Sequence, residues 1–261
     1  MDLKEFIREV EKHLKINLSG YREDQVRRRF ALFMKRYGIN DYRELLDKLL
    51  HDPKIQKDFI DRLTINVSEF FRNPEKWEYL KTTLIPELIK DNGKLKAWSA
   101  GCSVGCEPYT LALIMKVDFP RVPVTIIATD IDDGALARAR EGRYFKREMV
   151  NVKGEYLKYF TKVSDEEWII SPEIKRMVTF KKHNLITDPP IDYGFDLVMC
   201  RNVVIYFERE HKQKVWEKLA SSLRLGGYLF VGGSEIIFGT TKMGLKLHKP
   251  GFYKKVSEPT K

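Results

Sequence analysis

"LKAWSAGCSVGCEPYTLAL", residues 95–113, reads as a short apolar strand, a glycine turn and the opening of a helix. Gly101 and Gly105 punctuate the turn. In α/β proteins such glycines let the backbone approach a ligand closely, and the ligand is usually a nucleotide. The spacing G-x-x-x-G is neither the G-x-G-x-x-G dinucleotide pattern nor a P-loop, and no Lys-Ser/Thr pair follows it. The turn instead delivers Glu107 to the helix start, where a phosphate would meet a like charge.

The next strand narrows the choice. "VTIIATDIDDG" ends its apolar run at Asp130, about 20–30 residues beyond the turn, where an acidic side chain commonly accepts ribose hydroxyls. A ligand with a ribose, no phosphate and a cation for Glu107 matches S-adenosylmethionine, which carries an α-amino group and a sulfonium. The competing reading of the same residues is a turn built for close packing, with a solvent-facing carboxylate. "FDLVMCRNVVIYF", residues 195–207, adds a buried strand that opens at Cys200-Arg201-Asn202, on the carboxyl edge where open α/β sheets bind ligands. "LRLGGYLFVGG" then supplies a further turn and strand in the order of methyltransferase folds.

Outward from this stretch, strand-like runs at 95–100, 124–129, 178–183, 195–200 and 227–232 mostly alternate with helical runs at 107–117, 133–140 and 208–223. That alternation predicts a parallel sheet covered on both faces. Residues 141–177 break it, and "KVSDEEWII" within them reads as a hairpin, so an insertion is expected there. The first 63 residues show only helical periodicity, as in Leu3, Phe6, Ile7, Val10 and Leu14, and predict a small helical bundle. Asn73-Pro74 is expected to cap and open a connecting helix. The divisions are therefore a helical domain over 1–72, a linker and helix over 73–93, and an α/β domain over 94–261 with an insertion at about 141–177.

Of the 261 residues, 43% are hydrophobic and 32% charged, which describes a globular protein. No apolar run approaches the roughly 18 residues of a membrane span, and the N-terminus lacks a signal peptide's apolar core. With three cysteines a disulfide framework is not expected, and a cytoplasmic, reducing location is. Cys102 and Cys106 lack further ligands at metal spacing and read as packing residues, so no metal is expected. The net charge of +10 favours acidic partners, which could be nucleic acid, an anionic membrane surface or an acidic protein. Composition does not choose among them.

Five blocks in order, "TINVSEFFRN" (64–73), "WSAGCSVGCEPYTLAL" (98–113), "ATDID" (128–132), "HNL" (183–185) and "CRNVVIYF" (200–207), resemble the CheR family of chemotaxis receptor glutamate methyltransferases. The resemblance covers nearly the whole chain. It implies a small N-terminal all-α domain followed by a class I, Rossmann-like S-adenosylmethionine methyltransferase domain with an inserted small β subdomain. It also implies methyl transfer to receptor glutamates, leaving S-adenosylhomocysteine.

Carried over by position, Asn66, Ser68 and Arg72 would contact the cofactor or frame the reacting groups. Gly101 belongs to the cofactor turn; Glu107 would take the methionyl amino group and Asp130 the ribose. Asn184 and Leu185 would lie beside the adenine, Arg201 and Asn202 at the methionine end, and Tyr206 near the sulfur. Arg72 and Tyr206 are the catalytic candidates. One departure is visible: Cys106 stands where the family commonly has a first glutamate before the proline.

The implied partner is the cytoplasmic helical region of a chemotaxis receptor, with no nucleic acid, no direct membrane insertion and a monomeric enzyme. Arg22, Arg28, Arg29, Lys35 and Arg36 fall on an arc of roughly 120° beside the apolar stripe of the second helix. That arc is either a solvated face or a docking surface for an acidic helix. The hairpin "TKVSDEEWII" looks short for holding a receptor tether peptide, which some family members do. The alternative of a nucleic-acid methyltransferase would account for the charge through phosphate contacts. A base methylator, however, should end the fourth strand in D/N-P-P-Y, and this chain has C-R-N there, with "DPP" placed before the strand. A non-catalytic cofactor-binding scaffold is disfavoured by the intact arginine and tyrosine positions.

Overall fold

The computed structural model describes residues 1–14, 18, 23–63, 68–233 and 235–259. It divides into two compact units: Met1–Val67 with Tyr206–His211, and Ser68–Ile205 with Lys212–Lys261. Among the described residues, no helix is long and apolar enough to cross a membrane.

The first unit is built from α1 (Leu3–Leu14), α2 (Glu23–Tyr37), α3 (Tyr42–His51) and α4 (Pro53–Leu63). Local chemistry sets the starts. Asp2 Oδ1 accepts from the Glu5 N–H at 2.8 Å while Glu5 Oε2 accepts from the Asp2 N–H at 3.2 Å, a reciprocal cap. Asp41 accepts from the N–H groups of Arg43 and Glu44. The apolar stripes meet in an aromatic core in which Phe6 meets Phe30 edge-on at 5.1 Å and Phe30 stacks on Phe59 at 5.3 Å.

The second unit opens with α5 (Pro74–Tyr79), a π turn (Leu80–Leu84) and α6 (Ile85–Asn92). Next come β1 (Leu95–Ala100), α7 (Cys106–Asp118), β2 (Val124–Asp130) and α8 (Asp133–Glu141). The insertion holds β3 (Arg143–Phe145), β4 (Phe160–Ser164) and β5 (Glu167–Ile170). The rest comprises α9 (Pro172–Lys175), β6 (Val178–Lys182), β7 (Phe195–Cys200), α10 (Arg209–Ser222, in this unit from Lys212 on), β8 (Leu223–Val231), β9 (Leu245–Lys249) and β10 (Phe252–Lys255).

The large sheet has the order β6-β2-β1-β7-β8-β10-β9. From β6 to β8 the strands are parallel. β10 runs antiparallel to both β8 and β9, so the sheet is mixed rather than wholly parallel. The reason lies in "HKPGFYK", where Pro250-Gly251 turns the chain straight back and leaves no room for a crossover helix. β2 lies on one side of β1 and β7 on the other, so the strand order reverses between β1 and β7. Their carboxyl ends, Ala100 and Cys200, therefore open the crevice of a topological switch point. The insertion forms its own antiparallel sheet in the order β3-β5-β4, with β4 and β5 as the hairpin.

The block Ser68–Asn73 is fastened to this insertion. Phe70 is fully buried, edge-on to Tyr144 at 4.7 Å and to Phe160 at 5.1 Å. Its N–H donates to the Glu148 carbonyl at 2.9 Å, and the Phe71 N–H donates to Thr110 Oγ1 at 3.1 Å. Phe70→Ala removes a ring from a packed aromatic site. It should lower stability by about 3–5 kcal/mol, read by denaturant unfolding; a change within error would show the block to be loosely held.

Candidate active site

The first half of the site is the turn that follows β1. Gly101 and Gly105 adopt φ of 81° and 88°, where a side chain is strained. At Gly101 a Cβ would lie 2.6 Å from Val203 Cγ2, and at Gly105 it would lie 3.0 Å from the Ala139 Cβ. Both glycines thus serve internal packing, and the close approach they permit is first of all between the turn and its neighbours. The N–H groups of Gly101 and Cys102 both donate to the Thr129 carbonyl, at 2.8 and 2.9 Å, which ties the turn to the end of β2.

At that end the Asp130 carboxylate accepts from the Ser103 N–H at 2.7 Å through Oδ2 and from the Asp132 N–H at 3.0 Å through Oδ1. Each oxygen retains a lone pair. Burial pushes the Asp130 carboxyl up from its usual range, against the lowering effect of these N–H groups.

Glu107 stands in the first turn of α7. Its Oε1 accepts from Ser99 Oγ at 2.7 Å, and its Oε2 lies 3.8 Å from Arg201 Nη1. Burial raises the Glu107 carboxyl, the Arg201 charge and the Ser99 hydroxyl oppose this, and the neighbouring Glu235 adds to the rise. A carboxylate so desolvated and met by a cation at 3.8 Å has capacity for a second positive group.

Arg201 joins this half to the other. Only 8% exposed, it donates through Nη2 to the Arg72 carbonyl at 2.7 Å and to Asn73 Oδ1 at 2.9 Å. Its guanidinium lies over the rings of Phe230 at 4.4 Å and Trp77 at 5.5 Å. Phe71 and Asn73 sit at φ of 53° and 61°, so Arg72 is carried between two left-handed residues. Asn73 precedes α5 but makes no side-chain cap; its amide oxygen serves Arg201 instead, which corrects the expected capping role.

Ser68 hydrogen-bonds the Cys106 thiol, whose pKa burial pushes up, so at the position of the family's first glutamate the chain has a neutral hydrogen-bonded contact. Asn184 Oδ1 accepts from the N–H of Ile186 at 2.9 Å and closes the loop beyond β6. Leu185 is buried, and Lys218 Nζ donates to its carbonyl at 2.6 Å and to that of Asp188. Asn66 and Arg22 lie outside the described residues. Tyr206 is grouped with the helical unit, where the Arg29 guanidinium covers its ring at 4.5 Å. Arg28, Lys35 and Arg36 are exposed on α2, so Arg29 is set apart from the rest of the basic arc.

Sequence reading missed Ser99, Asn73, Lys76 and Glu235. Glu235 follows Gly232-Gly233 just beyond β8, and an acidic residue at the end of a strand is the same feature that picked out Asp130. Lys76 had no such mark. Its buried Nζ has no hydrogen-bond partner among the described residues, and a Cβ at Gly251 would come within 2.4 Å of it. Burial and the charge of Arg201 lower its pKa.

Residues 1–64 match the family described as CheR methyltransferase, all-alpha domain, and residues 66–250 match CheR methyltransferase, SAM binding domain. The chain belongs to the CheR methyltransferase family. Chemotaxis protein methyltransferases of Listeria innocua serovar 6a and Listeria monocytogenes serovar 1/2a are 39% and 38% identical to it over 249 residues, 95% of this chain and 95% of each relative. A chemotaxis protein methyltransferase of Borreliella burgdorferi is 34% identical over 267 residues, covering 97% of this chain and 94% of that protein.

The cofactor of this CheR-family chain is S-adenosylmethionine, and the residues fit it. The Asn202 Oδ1 is a buried acceptor without a partner among the described residues, and the Glu107 carboxylate is only partly neutralised. Such acceptors suit an ammonium donor. The carboxyls raised by burial hold a proton more readily when folded than when unfolded. That contribution to stability is complete below the ordinary carboxylate range and is lost as pH rises through the raised values. A bound cation has the opposite preference, since it favours the ionised form. The rise in melting temperature caused by S-adenosylmethionine should therefore be larger at about pH 7.5 than at about pH 5, and Glu107→Gln should flatten the difference. An equal shift at both values in the unsubstituted chain would refute the electrostatic role of Glu107.

Proposed function

We propose that the chain methylates glutamate side-chain carboxylates of methyl-accepting chemotaxis receptors, forming methyl esters. The observation that carries this reading is the arrangement at the switch point: Glu107, Arg201 and the Arg72 segment meet at the end of a strand that closes in Cys200-Arg201-Asn202. No D-P-P-Y stands there to hold a base amino group, and the similar proteins bear the name chemotaxis protein methyltransferase.

When bound, the cofactor supplies an activated methyl on a sulfonium. The rest is positioning. A glutamate carboxylate is already ionised and nucleophilic near neutral pH, so a general base is unnecessary. What remains is alignment at about 3 Å from the methyl carbon and exclusion of water. Glu107 holds the ammonium of the methionyl end, and Asp130 accepts the ribose hydroxyls through its spare lone pairs. Arg72, held by Arg201 through its carbonyl and flanked by left-handed residues, is assigned by the family resemblance to steer the acceptor carboxylate. Tyr206, assigned by the family resemblance, orients the sulfonium through its oxygen. Asn184 and Leu185 border the adenine.

Incubation with methyl-labelled cofactor and either receptor cytoplasmic fragments or RNA tests the reaction. Alkali-labile label on the receptor fragment is expected; label on RNA alone would overturn the proposal. Arg72→Ala and Tyr206→Phe should each lower turnover more than cofactor affinity, and wild-type turnover at saturating receptor in either variant would remove that residue's role.

The exposed cations of α2 are proposed to steer the acidic receptor helix. Steering acts on association and fades as the screening length shrinks to about 8 Å at physiological salt. Arg28→Glu with Lys35→Glu, which leaves Arg29 on Tyr206, should raise the KM for receptor without changing cofactor affinity. Added salt should raise the KM of the wild type more steeply than that of the variant. Equal KM and equal salt slopes in kinetics on receptor fragments would reduce the arc to a solvated face.

A further inference from the structure

Glu235 is a buried carboxylate with no part in the family resemblance, and its contacts are almost all with backbone. Oε2 accepts from the Asn202 N–H at 2.8 Å and from the Gly232 N–H at 2.7 Å. Oε1 is buried without a partner among the described residues. Asn202 follows the end of β7 and Gly232 follows the end of β8, so one side chain fastens together the carboxyl ends of two adjacent parallel strands.

The fit depends on two unusual backbone features. Asn202 adopts φ of 60°, a conformation that asparagine tolerates better than most residues. At Gly232 a Cβ would lie 2.4 Å from Glu235 Oε2 and 3.0 Å from the Asn202 nitrogen, so only glycine lets the carboxylate in. Arg201, the residue before Asn202, points its guanidinium to Arg72, Asn73 and Glu107. In this left-handed conformation the Asn202 amide oxygen is buried and has no partner among the described residues.

We propose that Glu235 is a positioning residue for cofactor binding: it locks Asn202 in its left-handed conformation, so that the Asn202 amide oxygen meets the cofactor's ammonium and Arg201 stays against Glu107. A buried carboxylate is costly unless its hydrogen bonds are made, and here the bonds that offset the cost are those that shape the loop after β7. The role lies in accepting two N–H bonds and needs no negative charge of its own. Without the acceptor, two buried N–H donors lose their partner and the left-handed turn loses its restraint.

The test is calorimetric affinity for S-adenosylmethionine in the full chain, with melting temperature followed alongside. Glu235→Ala should weaken binding by about tenfold or more, the scale of orphaned buried donors. Glu235→Gln keeps an oxygen for both N–H groups and should return affinity to within about threefold of wild type, a recovery that accompanies acceptor geometry and not charge. Wild-type affinity in Glu235→Ala overturns the proposal, and so does a glutamine variant as weak as the alanine variant. If Glu235→Ala does not fold, Glu235→Asp, one methylene short of both N–H groups, decides instead: weakened binding supports the role and wild-type binding refutes it. Because calorimetry reads cofactor alone, this outcome is independent of whether receptor glutamates are the acceptor.

Discussion

A guanidinium removed from water needs partners, and those that Arg201 finds organise the methyl-transfer half of the fold, while its buried Nε has none among the described residues. Its charge faces Glu107 at 3.8 Å, its N–H groups fix the Arg72 carbonyl and the Asn73 side chain, and its flat face rests on Phe230 and Trp77. Four separate pieces of chain, namely α5 and the block before it, the start of α7, β8 and the end of β7, are thereby held by one residue. Burial lowers the pKa of Arg201 and raises that of Glu107, so each makes the other's charge tolerable. The pair is poorly justified as a source of stability alone and better understood as a charged floor awaiting a charged ligand.

The glycines follow from this crowding. Gly101 meets Val203 and Gly232 meets Glu235, at the ends of β1 and β8 on either side of β7. Where three parallel strands end together there is no volume for an additional Cβ, and the space is taken by side chains that reach the site from neighbouring strands. The same economy explains Ser99, which turns from a buried strand position to hold Glu107. The insertion supports the arrangement from behind: Phe70 is clasped by Tyr144 and Phe160, and the Tyr144 hydroxyl donates to the Val104 carbonyl of the glycine turn at 2.9 Å. Aromatic packing in a subdomain outside the main sheet thus bears on both the arginine block and the cofactor turn.

Much of this was legible in the chain. Periodicity marked the first unit as helical, and apolar runs alternating with helical stretches located β1, β2, β6, β7 and β8, because a strand covered on both faces reads as an apolar run. Glu107 and Asp130 stood out because a carboxylate after the glycine turn repels a phosphate and one at the end of the next strand commonly accepts ribose hydroxyls. The hairpin β9–β10 carried only a Pro-Gly turn and short mixed strands, and its pairing with β8 followed from the edge that β8 offered.

By itself the sequence determined which residues could serve: acidic groups at the ends of strands, glycines where φ must be positive, and an arginine–asparagine pair closing a buried strand. Only the tertiary structure decided what they serve. Gly101 proves to make room for Val203, Asn73 serves Arg201 instead of capping a helix, and Glu235 acts on the backbone of Asn202, 33 residues before it. Local pattern records the conformations a residue favours and the face it buries. It holds no record of which distant donor a buried acceptor will meet, since that is fixed when strands far apart in sequence end side by side and leave their polar groups no water to turn to.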